Sequence, residues 1–596
     1  MRLRPFLCLL LLCSGIIGWM PAARAQQSEP DGRAARRRNM PETAARTHIS
    51  ETSLRRDVLR VETAVFEDDR PFTVLPLNEL GVAVVMNQNA IEESESISGR
   101  SLAFYDENLR LRWQTSIEVE AEYQYIGYRL GSDSLHFALS CLPHYKSARP
   151  LAALSVCLAD GAWRLRYLPV ELPAKLEILS VQMRRDGWGV LSMEKDQFVW
   201  YYLPEGGTVG TTASTDAVAT SAARPFIRTP LGLDDRMEWC HIAVDTATGQ
   251  IYTLFRDRKL RQNGLTLCRY GWQGENLSGF ELLPPDEGLR LIDARMSVLP
   301  DGRLWLGGTY HLSREKQTVS TYDRGSETTG LFAALYETGR GSVTADTAGP
   351  ADAVTNTLAA RTAEPKRLTF WKRAYYDFPD LEHRLSREAW YDLQRAREKS
   401  KGRTLIPAFT AQIRVGQAAD AETAPGAPLY VLGEVYTRLV NTTTEMYYDA
   451  YGRMVPYTRT YFEGFRFRDG FLARFDSLGH AVSETVFDLD RNRRYDDLTE
   501  YSQWAADSTG RTLYVYPLDD QLAYRVLGSV YGASDEPTAF QLPPLYQYDK
   551  VQKSWGGVLT PWYGRHFLAF GYQQIRNTRL GTSRRNVFYL QKITVE

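Results

Sequence analysis

Short apolar and aromatic runs, each ended by a tight turn, dominate the hydrophobic pattern of this chain. Residues 299–312 show the unit most clearly, because the turn dipeptide Asp301-Gly302 is followed at once by the apolar run 304–310. A second run occupies residues 330–336, and Thr338-Gly339 supplies a second turn. Runs of this length that are rich in aromatic and β-branched residues predict β-strands.

This strand-turn-strand unit recurs along the chain. Residues 429–433 align without gaps on 304–308, and residues 470–476 align on 330–336. Further runs follow the same frame, at 102–106, 154–160, 198–203, 265–270 and 545–549. The runs are spaced at roughly 45–75 residues, which is the length of a propeller blade with a loop. The spacing predicts an all-β fold, a β-propeller of roughly seven blades.

Three segments depart from the repeat. Residues 26–60 are polar and lack a hydrophobic period, so we expect a disordered leader before a propeller over 61–596. A loop and helix insertion is predicted at 341–404, since Leu381, Leu385, Ala389, Leu393 and Ala396 share one helical stripe. The apolar run 587–595 is expected to pair with a strand from 61–90 and to close the ring.

One repeat carries a resemblance to known proteins. Residues 301–309, Asp-Gly-Arg-Leu-Trp-Leu-Gly-Gly-Thr, resemble the propeller repeat of bacterial two-component sensor ectodomains. Tyr105-Asp106 and Phe475-Asp476 with Gly479 resemble outer strands of secreted bacterial β-propellers. The resemblance implies a propeller fold. Propellers host many unrelated activities, so it implies no activity.

The N-terminal segment predicts where the protein is located, and the charge balance argues against nucleic acid as a partner. Residues 1–25 have the basic start, the apolar centre and the Ala23-Arg24-Ala25 site of a signal peptide, which predicts an extracytoplasmic protein, periplasmic, outer-membrane associated or secreted. No later run is long enough for a transmembrane segment. With 71 basic and 72 acidic side chains, the chain has no net field that would attract nucleic acid.

Four cysteines remain after residue 25, at positions 141, 157, 240 and 268. In an oxidising compartment, Cys141–Cys157 and Cys240–Cys268 could form disulfides across neighbouring strands. The alternative is that the four act as small apolar residues with reduced thiols.

No motif of catalysis or cofactor binding is evident. The eight histidines show no metal-ligand spacing, and no nucleophile elbow or phosphate-binding glycine loop occurs. Residues 488–500 partly resemble a calcium loop, but Arg493 replaces the required glycine and arginines would repel the cation. The catalytic residues are therefore unknown, and we expect neither a metal nor a cofactor.

The best candidate binding site is an aromatic stretch between the two matched strands of one repeat. Its tyrosines are Tyr447, Tyr448, Tyr451, Tyr457 and Tyr461, with Arg459 and Asp449 among them, and Phe465 and Phe467 continue the aromatic stretch. Aromatic faces next to charged groups bind sugars and peptides. The alternative is a long hairpin that cross-strand aromatic pairs stabilise.

These observations predict a non-enzymatic binding or scaffold protein of the bacterial envelope, with a protein or glycan ligand. A propeller enzyme that acts on glycans and a ligand-sensing partner of a membrane protein are the alternatives. Clustered carboxylates at the mouth of the central channel would favour the enzyme, and an exposed aromatic patch would favour the binding protein.

Overall fold

The computed structural model describes most of the chain from Leu59 to Val595. The described residues are 59–65, 72–87, 97–120, 123–141, 149–173, 176–204, 227–234, 236–259, 262–286, 288–312, 328–338, 364–374, 409–417, 427–448, 451–489, 494–495, 498, 500–506, 512–518, 521–527, 538–579 and 584–595. The predicted signal peptide, most of the predicted leader and the predicted helical stripe from Leu381 to Ala396 lie outside them.

The described residues form thirty-two strands and one 3-10 turn, Asn78–Leu80. In chain order the strands are β1 (Arg60–Val65), β2 (Thr73–Pro76), β3 (Val82–Asn87), β4 (Ile97–Tyr105), β5 (Leu111–Glu120), β6 (Tyr123–Leu130), β7 (Ser134–Cys141), β8 (Arg149–Cys157), β9 (Trp163–Leu172), β10 (Leu176–Arg184), β11 (Gly187–Glu194), β12 (Gln197–Pro204), β13 (Ile227–Asp234), β14 (Met237–Val244), β15 (Ile251–Asp257), β16 (Leu265–Tyr270), β17 (Asn276–Leu282), β18 (Leu289–Val298), β19 (Leu304–Leu312), β20 (Gly330–Glu337), β21 (Lys366–Ala374), β22 (Thr410–Gln417), β23 (Leu429–Tyr448), β24 (Met454–Phe475), β25 (Ala481–Asp488), β26 (Gln503–Ala506), β27 (Thr512–Leu518), β28 (Gln521–Leu527), β29 (Thr538–Gln541), β30 (Asp549–Tyr563), β31 (His566–Asn577) and β32 (Arg584–Thr594).

The strands form eight four-stranded antiparallel sheets in consecutive order, and these are the blades. Blades 1 to 7 each take four successive strands, from β2–β5 to β26–β29. Blade 8 consists of β30, β31 and β32, completed by β1 from the other end of the chain. Among the described residues there are eight clusters of buried apolar side chains, and each lies between two successive blades. One cluster joins blade 8 to blade 1, so the sheets close into a ring. The fold is a β-propeller.

The pairing of β1 with β32 confirms the predicted ring closure. The register runs from Arg60 opposite Gln591 to Val65 opposite Asn586. Buried charges reinforce this joint, because Arg60 lies 2.9 Å from Glu62, and Glu62 also accepts a hydrogen bond of 2.8 Å from Arg585. The first strand therefore holds the last blade through both backbone and side-chain bonds.

The ring has eight blades where the sequence predicted roughly seven. The first six predicted runs all lie in third strands of blades, from β4 to β24. The run at 545–549 does not, because it ends where β30, the first strand of blade 8, begins. The third strands of blades 7 and 8, β28 and β32, lack the repeat pattern, so the pattern shows one unit where the structure has two blades.

The alignment between blades 5 and 6 is confirmed in three dimensions. β19 and β23 are the second strands of these blades, and β20 and β24 are the third strands. The aspartate that ends the repeat has a local role as well. Asp106 accepts hydrogen bonds from the N–H groups of Asn108 and Arg110, and Asp476 does the same for Leu478 and His480. A carboxylate at this position fixes the turn that follows the third strand.

The predicted insertion at 341–404 is partly wrong. β21 lies inside that range and is the outer strand of blade 5, paired with β20. Its burial pattern is mostly exposed or half-buried, as expected for an outer strand, and so it lacks the apolar run that would have identified it.

Of the two alternatives for the cysteines, the structure shows the second: neither disulfide forms, and Cys141, Cys157, Cys240 and Cys268 are thiols. Cys157 is opposite Ser134, at the far end of β7 from Cys141, so the pair is separated by about 20 Å along the strands. Cys240 and Cys268 lie on β14 and β16, which β15 separates, and they face different apolar clusters. A disulfide needs Cα atoms within about 7 Å, which neither pair provides.

A candidate binding arm on blade 6

Blade 6 contains the two longest strands of the described chain, with 20 residues in β23 and 22 in β24. β22 pairs with β23 only as far as Tyr436, and β25 pairs with β24 only from Asp469 onward. Beyond these points β23 and β24 continue to pair with each other. We call residues 437–466 the arm. Its strands extend about 40 Å at the usual rise per residue.

The register of the arm separates its side chains into two faces, because residues directly opposite each other point to the same side of a sheet. The neutral face carries uncharged residues in five pairs: Val440–Phe462, Thr442–Thr460, Thr444–Thr458, Met446–Pro456 and Tyr448–Met454. The aromatic face carries four pairs: Asn441–Tyr461, Thr443–Arg459, Glu445–Tyr457 and Tyr447–Val455.

The structure places the five predicted site residues in three places on the arm. Tyr447, Tyr457 and Tyr461 lie on the aromatic face, and Tyr448 lies on the neutral face. Tyr451 stands in the turn at the tip, where it is 84% exposed. The other four are between 44% and 70% exposed. None of the five contributes to the core of a blade.

Contacts between neighbours hold the aromatic face in a fixed arrangement. The rings of Tyr447 and Tyr457 meet edge to face with centroids 5.8 Å apart. The Arg459 guanidinium lies 4.9 Å from the Tyr457 ring centroid. Hydrogen bonding to Tyr461, and then to Tyr457, raises the pKa of Arg459. The face thus presents a cation between two exposed phenol rings, which suits stacking on a planar or hydroxylated ligand.

The arm leaves the propeller through a collar of buried aromatic rings. Phe465 exchanges backbone hydrogen bonds of 2.7 and 2.9 Å with Tyr495, and Phe467 stacks on Tyr501 at 4.8 Å. Gly464 beside them has φ +132°, and a Cβ there would lie 2.3 Å from the Tyr495 carbonyl oxygen. The sequence had grouped Phe465 and Phe467 with the exposed aromatics, but they pack between blades 6 and 7.

A buried carboxylate lies immediately below the collar. Glu434 is fully buried and accepts hydrogen bonds from Arg414 at 2.8 Å and from the N–H groups of Ser502 and Tyr501 at 2.6 and 3.1 Å. Arg414 also bonds Glu500 at 3.0 Å. This network connects β22 and β23 to the start of blade 7. The Glu434 oxygens accept hydrogen bonds from protein donors. The network is therefore a structural joint at the root of the arm.

The neutral face has no counterpart among the features predicted from the sequence. Hydroxyl contacts of 3.3 Å for Thr442–Thr460 and 3.1 Å for Thr444–Thr458 form a threonine ladder along it. The pattern Thr442-Thr443-Thr444 against Thr458-Arg459-Thr460 could have revealed the register, because β-branched residues favour paired strands.

No group of three or more metal-ligating side chains occurs among the residues that the structure describes. Most of the calcium-like segment at 488–500 lies outside them.

Across the described part of the chain, no helix has the length and hydrophobicity that crossing a membrane requires.

Comparisons with known proteins yield neither a family nor a relative. No protein-family model and no curated protein matches the chain. Among solved structures, it is similar to the β-propeller domain of the Trilobed protease from Pyrococcus furiosus, at 7% identity and TM-score 0.29, covering 80% of this chain and 95% of that one. It is also similar to a putative dipeptidyl aminopeptidase IV from Bacteroides ovatus, at 9% identity and TM-score 0.27, covering 82% and 57%. At such scores these similarities carry no argument about function.

Proposed function

We propose that this protein is a non-enzymatic binding protein, in which the eight-blade ring is a rigid scaffold and the arm contacts the ligand. The observation that carries the proposal is the exposure of the five arm tyrosines beyond the blade. Exposed aromatic side chains of this number on one ordered element are typical of recognition surfaces.

The construction of the arm supports a binding role. The collar and the Glu434 network fix the root, so the arm does not depend on its own contacts for its position. An isolated two-stranded hairpin is at best marginally stable in water, so a long exposed one brings little stability to the fold. Its aromatic face combines Tyr457, Tyr461, Arg459 and Glu445, which can donate, accept and stack.

We place the protein outside the cytoplasm, as its first 25 residues predict, and we expect a protein or glycan of the envelope as its ligand. The hypothesis of a glycan-cleaving propeller requires two acidic side chains that face a substrate. Three carboxylates with buried side chains, Glu434, Glu62 and Asp549, are each engaged by an arginine and lie in joints between strands. We therefore favour binding over catalysis.

The proposal is tested by replacing exposed rings on the aromatic face. Tyr457→Ala combined with Tyr461→Ala should abolish capture of the ligand, because the cation and its two rings form one surface. Stability should change by less than about 0.5 kcal/mol, as for other exposed positions. Capture is measured by pull-down from envelope extract with identification by mass spectrometry, and on immobilised envelope glycans. Stability is measured by thermal denaturation.

Phe462→Ala is the matched control, because it removes a ring of similar exposure, 46%, from the neutral face. It should retain capture by the aromatic face. A large fall in the melting temperature of the double variant with unchanged capture would refute the proposal and would favour the hypothesis of a structural hairpin.

A further inference from the structure

The two edges of the arm are built differently. Along the β24 edge, Pro456 lacks an N–H, Glu463 and Gly464 form a bulge opposite Leu439, and Phe465 is already bonded to Tyr495. Prolines, bulges and covering segments are the devices by which proteins prevent an edge strand from pairing with another chain. The β24 edge is therefore protected.

The β23 edge has none of these devices. From Thr437 to Tyr448 it contains no proline, no glycine and no inserted residue, and no described strand pairs with it. Most of its residues are β-branched or aromatic, and Arg438 and Glu445 are its only charges. Such a segment has a high tendency to accept another strand.

Pro456 also shows which backbone groups face the open edge. Opposed residues in antiparallel strands alternate between pairs that exchange two hydrogen bonds and pairs that exchange none. Because a proline cannot donate, the Met446–Pro456 pair is of the second kind, and the N–H of Met446 points outward. The same alternation directs the N–H groups of Val440, Thr442 and Thr444 outward. The 3.1 Å hydroxyl contact of Thr444 with Thr458 agrees, because side chains lie closer in such pairs.

We propose that the β23 edge of the arm pairs antiparallel with the same edge of a second copy of this chain. A twofold axis at Thr443 pairs all residues from 438 to 448, with Thr442 opposite Thr444 of the other copy and Val440 opposite Met446. In this register the even-numbered residues, whose N–H and C=O groups point outward, lie opposite each other and can exchange hydrogen bonds, and the odd-numbered residues form the pairs without hydrogen bonds between them. The product is a four-stranded sheet made from two arms.

Sterics select the antiparallel direction. Adjacent strands are about 5 Å apart, whereas a ring with blades four strands wide is about 40 Å or more across. Parallel arms would force two rings into the same space. Antiparallel arms place the rings at opposite ends of the shared sheet, with each tip at the other copy's root.

The charges also suit pairing with an identical copy. In this register Glu445 lies opposite Asn441, and Arg438 lies opposite Tyr448, so no like charges meet. Both neutral faces come to lie on the same side, which gives one surface across four strands that is uncharged apart from Arg438 of each copy at its two ends. The aromatic faces lie together on the other side, so the dimer presents two copies of the surface that the proposed function requires.

The test uses two prolines at directly opposed positions. Thr444→Pro removes an outward N–H from the open edge, whereas Thr458→Pro removes one from the protected edge of the same pair. Both variants lose the same hydroxyl contact. The mass of each full-length protein is measured by sedimentation velocity over a concentration series. We expect a dimer for the unmodified chain and for Thr458→Pro, and at least a tenfold higher dissociation constant for Thr444→Pro.

Three outcomes would overturn this inference: a monomeric unmodified chain at its highest soluble concentration, equal dimerisation of both variants, or loss of the dimer in both. Pairing rests on the backbone edge, and capture rests on the aromatic face. Failure of the dimer with intact capture would thus leave the proposed function standing, and the reverse result would leave the dimer standing.

Discussion

The inner and outer halves of the blade 6 hairpin share one pair of strands but have opposite surroundings. In the inner half, Tyr430, Leu432 and Phe471 are buried between neighbouring blades. In the outer half, every residue from Val440 to Tyr448 is exposed. Both halves have strand-forming sequences, so strand propensity does not distinguish them. The two halves differ in whether a neighbouring blade covers the strands. The covered half stabilises the fold, and the uncovered half is exposed to solvent and available for contacts.

The largest difference in stability is expected between two deletions. Removing residues 587–596 takes away most of β32, including the buried residues Val587, Phe588 and Leu590. We expect loss of cooperative folding, because two interblade clusters and the β1 pairing depend on this strand. Replacing residues 440–462 with Gly-Gly should leave the melting temperature nearly unchanged. Thermal denaturation of both variants provides the measurement. Equal melting of the shortened terminus and the intact chain would show that β32 does not close the ring.

A smaller effect on stability is expected from replacing one carboxylate in each half. Glu434→Gln leaves the buried Arg414 with weaker compensation and should cost about 3 kcal/mol, as for other broken buried ion pairs. Glu445→Gln on the exposed arm should change stability by less than about 0.5 kcal/mol. Chemical denaturation measures both. Similar values for the two variants would contradict the distinction between a structural root and an exposed arm.

The smallest expected effect concerns pH. Burial, and then the charge of Arg295, lowers the pKa of His241 to about 3. An unfolded histidine takes up its proton near pH 6.5, so between that value and about pH 3 the unfolded state binds more protons and stability falls as the pH falls. Protonation of His241 in the unfolded state changes the free energy of unfolding by at most about 1.4 kcal/mol per pH unit.

Residues 437–466 contain no histidine, so capture by the arm should stay constant between pH 7 and pH 5.5 while stability declines. His241→Gln should flatten the decline in stability, measured by denaturant unfolding across this range. An unchanged slope in that variant would assign the effect to other groups.

Much of the candidate site was evident in the sequence. Its five tyrosines lie between two aligned repeat strands, where the equivalent segment of blade 5 is short and polar. The sequence did not separate Phe465 and Phe467 from Tyr457 and Tyr461, because all four alternate within one continuous strand. Only the position of blade 7 decides that the first two are covered.

The sequence by itself determined the strand class, the repeat frame and the closure of the ring, because alternation, turn residues and an apolar terminal run act locally. The tertiary structure decided the blade number, since β28 and β32 take their places through packing and carry no repeat pattern. It also decided that the cysteines lie too far apart to pair, and that the arm has one protected and one open edge. Those properties depend on which strands lie side by side, and residues hundreds of positions apart in the chain set that arrangement.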